Sequence, residues 1–291
     1  MRILLLGAKG QLGSDLLRAN EGGGSREEVL PYCRRNLDVS RIETIRPALA
    51  PVQFDVLINC TSYHRTDELE RHANDAFAIN AHAVRELAAA SKEKGARFIH
   101  ISTDYVFSGD SSKPYVETDS PGPLNVYGAS KLMGESLVFA EYPDQTIVLR
   151  VASLFGVAGS SGKGGNFVET MIRLGREKGR LKVVNDITMS PTGTATVARL
   201  IFKLLAARAP AGLYHTVNSG QATWFEFARE IIHRANVKAE VTPVTSAEYP
   251  TAAARPAFSV LDNSKLAAVV GGIPSWEEAL DGYLRDKGHV G

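Results

Sequence analysis

The chain has 291 residues, with 33 Lys and Arg against 32 Asp and Glu, a formal net charge of +1, and 44% hydrophobic and 22% charged residues. This is ordinary globular composition, which excludes a disordered, collagenous or coiled-coil chain, and the near-neutral charge argues against a nucleic-acid binder. No apolar run approaches the ~20 residues of a membrane helix. The apolar run at Ile3 to Leu6 is too short for a signal peptide, and Cys33 and Cys60 are too few for a disulfide framework or a multi-cysteine zinc site. A cytoplasmic protein without membrane or nucleic-acid partners is expected.

In chain order, a continuous apolar run predicts a strand over Ile3 to Leu6, followed by a helix from Gln11 to Arg18 and a glycine turn at Gly22, Gly23 and Gly24. Val29 to Cys33 reads as a second strand despite Pro31, and Val56 to Asn59, Arg97 to Ser102 and Thr146 to Arg150 read as further strands. One long helix is predicted between the third and fourth of these. Fully apolar strands separated by helices indicate an α/β fold, a Rossmann-type doubly wound parallel sheet covered on both faces. The first domain is therefore drawn at residues 1–150.

Beyond it the pattern loosens. Helices are predicted over Asn166 to Lys178, Thr194 to Arg208, Trp224 to Ala235 and Trp276 to Arg285, with short strands at Leu181 to Val184 and Gly212 to Val217. Residues 151–291 thus read as a smaller C-terminal α+β portion, mainly substrate-binding, with segments returning to the sheet. A cleft is expected between the portions, and the Ala/Pro-rich stretch Ser246 to Ser259 reads as a loop over it.

Gly7-Ala-Lys-Gly10-Gln11-Leu12-Gly13 joins the first strand to the first helix. Glycines let the backbone turn tightly and approach a pyrophosphate, and the helix N-terminus supplies free N–H groups and a positive dipole. The order strand, glycine loop, helix favours dinucleotide binding over a purely structural turn, although the spacing is G-x-x-G-x-x-G. No acid stands at the tip of the second strand to meet a ribose hydroxyl. Arg34, Arg35 and Lys9 instead offer a pocket for a 2′-phosphate, the alternative being two solvated arginines. Asp38 either approaches the adenine or caps the helix beginning near Ser40.

Tyr127 and Lys131 lie four residues apart in a helical pattern and so share one face. A free phenol titrates near ~10, and a neighbouring ammonium would lower that toward useful proton transfer. Thr103 ends a predicted parallel strand, where ligands bind, and can polarise a carbonyl. Asn80 falls on an apolar helical stripe, so its amide needs partners: backbone near the site, a water near Lys131, or a neighbouring strand. His64 and His100 read as polar lining and strand packing, and Trp224 and Trp276 as core.

Several motifs together resemble the dTDP-4-dehydrorhamnose reductase family of extended short-chain dehydrogenase/reductases. They are the Gly-x-x-Gly-Gln-Leu-Gly loop, His100-Ile-Ser-Thr-Asp-Tyr-Val-Phe-Ser-Gly109, Pro123-Leu-Asn-Val-Tyr-Gly-Ala-Ser-Lys131-Leu-Met-Gly-Glu135, Ser190-Pro-Thr192 and Leu261-Asp-Asn-Ser-Lys265. The resemblance implies reduction of the 4-keto group of a nucleotide-linked 6-deoxysugar by NADPH, with NADH possible, giving dTDP-L-rhamnose. It implies Tyr127 as proton donor, Lys131 on the nicotinamide ribose, and Thr103 and Asp104 on the sugar. By the resemblance Gly10, Gln11 and Leu12 would meet the pyrophosphate, Asp38 and Val39 the adenine side, and Thr61, Ser62 and Tyr63 the cofactor channel; Gly7 and Gly13 of the loop and Arg34 at the strand tip complete the cofactor-binding candidates.

Where the family commonly carries Thr-Ser-Trp, this chain has Val151-Ala-Ser153, so Ser153 stands where an aromatic residue would face the sugar. The stretch after Tyr63 also departs, reading His64-Arg-Thr-Asp67. The glutamates with which some members hold a magnesium ion are replaced, by Asp15 and near Ala195, and no metal is expected. A nucleotide-sugar substrate and a possible homodimer follow from the resemblance. The alternatives are a non-catalytic dinucleotide-binding regulatory subunit of the same fold, or a nucleotide-sugar epimerase. Retention of Tyr127, Lys131 and Thr103 favours the reductase.

Overall fold

The computed structural model describes residues 1–22, 27–159 and 165–290. The elements of the first half are β1 (Arg2–Leu6), α1 (Gln11–Gly22), β2 (Glu28–Tyr32), α2 (Ile45–Leu49), β3 (Val56–Asn59), α3 (Thr66–Leu69), α4 (Ala73–Phe77), α5 (Ala83–Glu93), β4 (Arg97–Thr103), α6 (Val126–Glu141) and β5 (Thr146–Val151). The second half has β6 (Leu154–Phe155), α7 (Phe167–Lys178), β7 (Arg180–Val184), β8 (Thr188–Met189), β9 (Thr192–Gly193), α8 (Thr194–Ala206), β10 (Gly212–His215), β11 (Ala222–Thr223), α9 (Trp224–Arg234), β12 (Glu240–Val244), α10 (Ser264–Val270) and α11 (Trp276–Asp286).

Six parallel strands form the central sheet in the order β10-β5-β4-β3-β1-β2. Its interior strands are apolar on both faces because both faces are covered. On one face Ile3, Leu5, Ile58 and Ile99 pack with Leu12 and Leu16 of α1, Val197 and Ile201 of α8, and Leu266 of α10. On the other, Leu4, Leu6, Leu57, Phe98 and Val148 pack with Ile45, Val84, Leu87 and Val138 of α2, α5 and α6. Pro31 is tolerated because β2 is an edge strand, where a missing N–H breaks no interior ladder. A third core joins Phe155, Ile172, Phe227, Ile231, Trp276 and Leu280 in the C-terminal portion.

The expected single helix between β3 and β4 is instead broken into α3, α4, a π-turn over Ala78–His82, and α5. The reason lies in packing: at Gly134 of α6 an added Cβ would sit 2.2 Å from the Asn80 carbonyl oxygen, so the two helices touch backbone to backbone at the turn. Gly22 ends α1 rather than a turn, and Gly23 and Gly24 of the expected turn lie outside the described residues. Among the described residues no helix is long and apolar enough to cross a membrane.

Candidate active site

The carboxyl ends of β1, β3, β4 and β5 open into a cleft of about 2010 Å³, lined also by residues of α7, β7, α9 and the 246–257 loop. Drug-sized pockets span roughly 300–1,000 Å³, so this cleft has room for two ligands side by side.

At its floor, Gly7 adopts a positive φ of 77°, and a Cβ there would lie 3.1 Å from the Cys60 carbonyl. The N–H groups of Gly7 and Ala8 donate to the Tyr32 carbonyl at 3.0 and 3.1 Å, which ties the loop to the end of β2. The first turn of α1 has no preceding turn to accept its N–H groups. Gln11 Oε1 is buried without a partner among the described residues. The glycine cradle and the helix N-terminus fit a pyrophosphate, whereas the Gln11 oxygen can only accept and calls for a donor. Of the predicted glycines, Gly7 and Gly10 line the cleft but Gly13 does not. A Cβ at Gly13 would lie 2.2 Å from the Gly7 oxygen, so its role is the close seating of α1 on the loop.

Arg34, Arg35 and Lys9 all line the far end of the cleft, with Asp38 and Val39. Arg34 is paired: its Nε donates to Asp38 Oδ2 at 3.0 Å. Asp38 also accepts from the Ser40 hydroxyl at 2.7 Å and backbone N–H at 3.1 Å, and these contacts hold its carboxyl below the usual range against the opposing effect of burial.

At the centre, the buried Tyr127 hydroxyl sits beside those of Thr103 and Ser62, and the Tyr105 ring meets the Tyr127 ring edge-on with centroids 6.0 Å apart. The Thr103 hydroxyl donates to Asp104 Oδ1 at 3.0 Å and accepts the Tyr105 N–H at 3.2 Å. Burial raises Asp104 to about 6. One expectation is overturned here. Lys131 does not acidify Tyr127: burial, with Asp104 nearby, pushes the phenol up to about 12. The buried Lys131 Nζ turns to the Ile101 carbonyl at 2.6 Å and His100 Nε2 at 3.0 Å, and burial lowers it to about 7.

Thr61, Ser62 and Tyr63 line the cleft, and Asn80 holds this loop. Its Oδ1 accepts from Tyr63 N at 2.9 Å and Ser62 Oγ at 3.2 Å, and its Nδ2 donates to the Tyr63 carbonyl at 2.9 Å and Ser130 Oγ at 3.0 Å. Asn80 thus ties the loop to α6 beside Tyr127. Asn125 caps α6, its Oδ1 accepting the Gly128 N–H at 2.8 Å while Nδ2 donates to the Ala254 carbonyl at 2.8 Å.

On the sugar side Ser153 lines the cleft at a positive φ of 42°. Trp224, read from sequence as core, also lines the cleft and packs on Phe167 at 4.6 Å between centroids, whereas Trp276 is core as expected. The loop over the cleft is latched by a pair the sequence reading missed. Both terminal nitrogens of Arg255 reach Asp67 at 2.7 Å, and the Ala253 N–H adds a third bond to Asp67 at 3.0 Å. The pair is 188 positions apart in the chain, and nothing in the sequence around either residue points to the other.

The family model described as "RmlD substrate binding domain" matches residues 1–288. A dTDP-4-dehydrorhamnose reductase from Burkholderia thailandensis is 37% identical, covering 98% of this chain and 99% of its own. Two solved dTDP-4-dehydrorhamnose reductases superpose with TM-scores of 0.91, each covering 98% of this chain and 99% of its own. One, from Clostridium acetobutylicum, is 36% identical; the other, from Bacillus anthracis and solved in complex with NADP, is 37% identical. Since the agreement runs through the sheet, the cleft and the loop above it alike, this chain belongs to the RmlD substrate binding domain family.

Proposed function

We propose that this protein uses NADPH to reduce the 4-keto group of a dTDP-4-keto-6-deoxysugar, in the first place dTDP-4-dehydro-L-rhamnose to dTDP-L-rhamnose. The observation that carries this reading is the convergence, in one cleft, of the glycine cradle with Tyr127, Thr103 and Lys131 at the end of β4. Family membership supports it, as does the NADP complex of the Bacillus anthracis relative.

The nicotinamide supplies the hydride. Gly7, Gly10, Gln11 and Leu12 hold the pyrophosphate, with Arg34, Arg35, Asp38 and Val39 at the adenosine end and Thr61, Ser62 and Tyr63 along the channel. Lys131 reaches the nicotinamide ribose. Tyr127 gives its proton to the oxygen that becomes the new hydroxyl, and Thr103 donates a hydrogen bond to the same developing charge. Asp104 and Ser153 face the sugar. In this assignment residues 1–150 bind the dinucleotide, and residues 151–291 mainly bind substrate while returning segments to the sheet.

The test is oxidation of NADPH, and separately of NADH, against a panel of dTDP-, UDP- and GDP-linked 4-keto sugars. Turnover fastest with dTDP-4-dehydro-L-rhamnose is expected. Dinucleotide binding without turnover on any member would replace the enzyme with a binding subunit.

A further inference from the structure

The 246–257 loop is fastened at both ends, and its far end meets the start of the helix that carries Tyr127. At the near end, Asp186 accepts the Ser246 N–H at 2.8 and 3.0 Å and the Ser246 hydroxyl at 3.0 Å. At the far end, Asp67 holds the Ala253 N–H and the Arg255 guanidinium. Between those two residues the Ala254 carbonyl accepts a hydrogen bond from Asn125 Nδ2 at 2.8 Å. Asn125 is buried and is also the N-cap of α6, its Oδ1 holding the Gly128 N–H at 2.8 Å. Tyr127 lies between the cap and Gly128. One amide thus holds the loop by its nitrogen and the turn bearing Tyr127 by its oxygen. A cap requires only a side-chain oxygen, which Ser or Asp supplies as well as Asn. What Asn adds is the NH₂, and here that group is directed at the loop.

We infer that Asn125 is a positioning residue that couples the seating of the 246–257 loop to the alignment of Tyr127. The inference deepens the reductase reading and rests on Tyr127 as the acid. The first turn of a helix has N–H groups with no partner inside the helix, so outside contacts decide where that turn sits. Here those contacts form a closed ring. The Val126 N–H donates to Glu70 Oε1 at 2.9 Å, and Glu70 lies in the same segment as Asp67, which holds the loop. Gly128 leaves no room for a Cβ against the Tyr105 carbonyl, so the turn is seated directly on the residue that follows Asp104. Arg255 lies beside Tyr105, whose ring meets that of Tyr127, so the latched end of the loop bounds the donor on a second side. Proton transfer needs donor and acceptor within about 2.6–3.2 Å, and a misplacement of about 1 Å can cost on the order of 10² in rate. A loop that covers the substrate and fixes the acid in the same movement meets that demand.

The experiment begins with Asn125→Ser, which keeps an oxygen for the Gly128 N–H and removes the donor to Ala254. The variant should melt near the wild type and bind NADPH with unchanged affinity, because the glycine cradle is untouched. Hydrogen exchange over residues 246–258, read by mass spectrometry, should quicken by about three- to tenfold, the worth of one net hydrogen bond. With dTDP-4-dehydro-L-rhamnose, kcat should fall by a similar factor, about three- to tenfold. Asn125→Asp keeps both the cap and the shape of the side chain, and makes the same comparison if the Ser variant fails to fold. A cycle with Asp67→Asn reads the coupling itself. Both substitutions free the same end of the loop, so the double variant should lose much less kcat/KM than the product of the two single losses. Unchanged exchange or unchanged kcat in a folded variant, or losses that simply multiply, overturns the inference. A wild type that turns over no sugar of the panel refutes the reductase reading instead, and the exchange result then still decides whether Asn125 ties the loop to α6.

Discussion

Replacing Tyr127 by Phe removes one oxygen from the centre of the cleft and keeps the ring that meets Tyr105. With the phenol raised to about 12, the phenolate fraction at pH 7 is on the order of 10⁻⁵, so the wild-type donor is loaded at every physiological pH. A general acid contributes about 10²–10⁴ in rate, or ~2.7–5.5 kcal/mol at 1.36 kcal/mol per tenfold. The substitution also removes a hydroxyl that faces Thr103 and Ser62. Even two lost hydrogen bonds at roughly 1 kcal/mol net each would cost about 2 kcal/mol, against the ~5–15 kcal/mol that holds a domain folded. Tyr127→Phe should therefore remain folded, bind NADPH nearly as the wild type does, and lose kcat by about 10²–10⁴. The assay is the decay of reduced-nicotinamide absorbance with a dTDP-4-keto sugar, beside a cofactor titration and a thermal melt. A folded variant with near-normal kcat would refute the assignment of Tyr127 as the acid.

Gly13→Ala places a Cβ 2.2 Å from the Gly7 oxygen, so the loop must shift; NADPH affinity should fall at least tenfold, measured by fluorescence titration, and unchanged affinity would remove the seating role. Asp67→Asn keeps the shape of the latch while removing the charge that faces Arg255. The loop should become more open to limited proteolysis near residue 250, with KM for the sugar rising more than kcat falls. Because contact with Arg255 lowers Asp67 to about 2, the wild-type latch should hold above the ordinary carboxylate range and weaken only as pH falls from 3.8 toward about 2. His215 is buried and lowered from 6.5 to about 3, so between these values the unfolded chain binds a proton that the native state refuses, and stability falls as pH drops through that window. The loss from this group approaches about 5 kcal/mol at about 1.4 kcal/mol per pH unit; Tm recorded from pH 7 to pH 4 should drop less steeply in His215→Gln, and equal slopes would exclude the histidine as a cause.

The sheet was legible because its strands are mostly short apolar runs between helical patterns; β3 was read with its observed bounds, Val56–Asn59. The glycine loop and the Tyr127–Lys131 pair were legible because each is local, a few residues on one turn or one helix face. What escaped depends on contacts between distant segments. The apolar stripe through Ala73 to Leu87 carries no mark of the π-turn, which follows from the backbone approach at Gly134. His100 looked like strand packing because alternation reports burial but says nothing about which side chain a buried ring meets. The effect of Lys131 on Tyr127 was misread for a related reason: helical spacing puts two side chains on one face without saying what lies behind them.

The strand beside β5 is β10, more than sixty residues further along the chain, and α8 precedes it across one face of the sheet. During synthesis a nascent chain ending near residue 150 would present the edge of β5 as an open row of N–H and C=O groups beside bare apolar surface. Such an edge is a template for pairing with another chain. The protein therefore remains vulnerable on the ribosome until His215 has emerged, and expression of residues 1–150 alone should yield aggregate where the whole chain gives monodisperse protein.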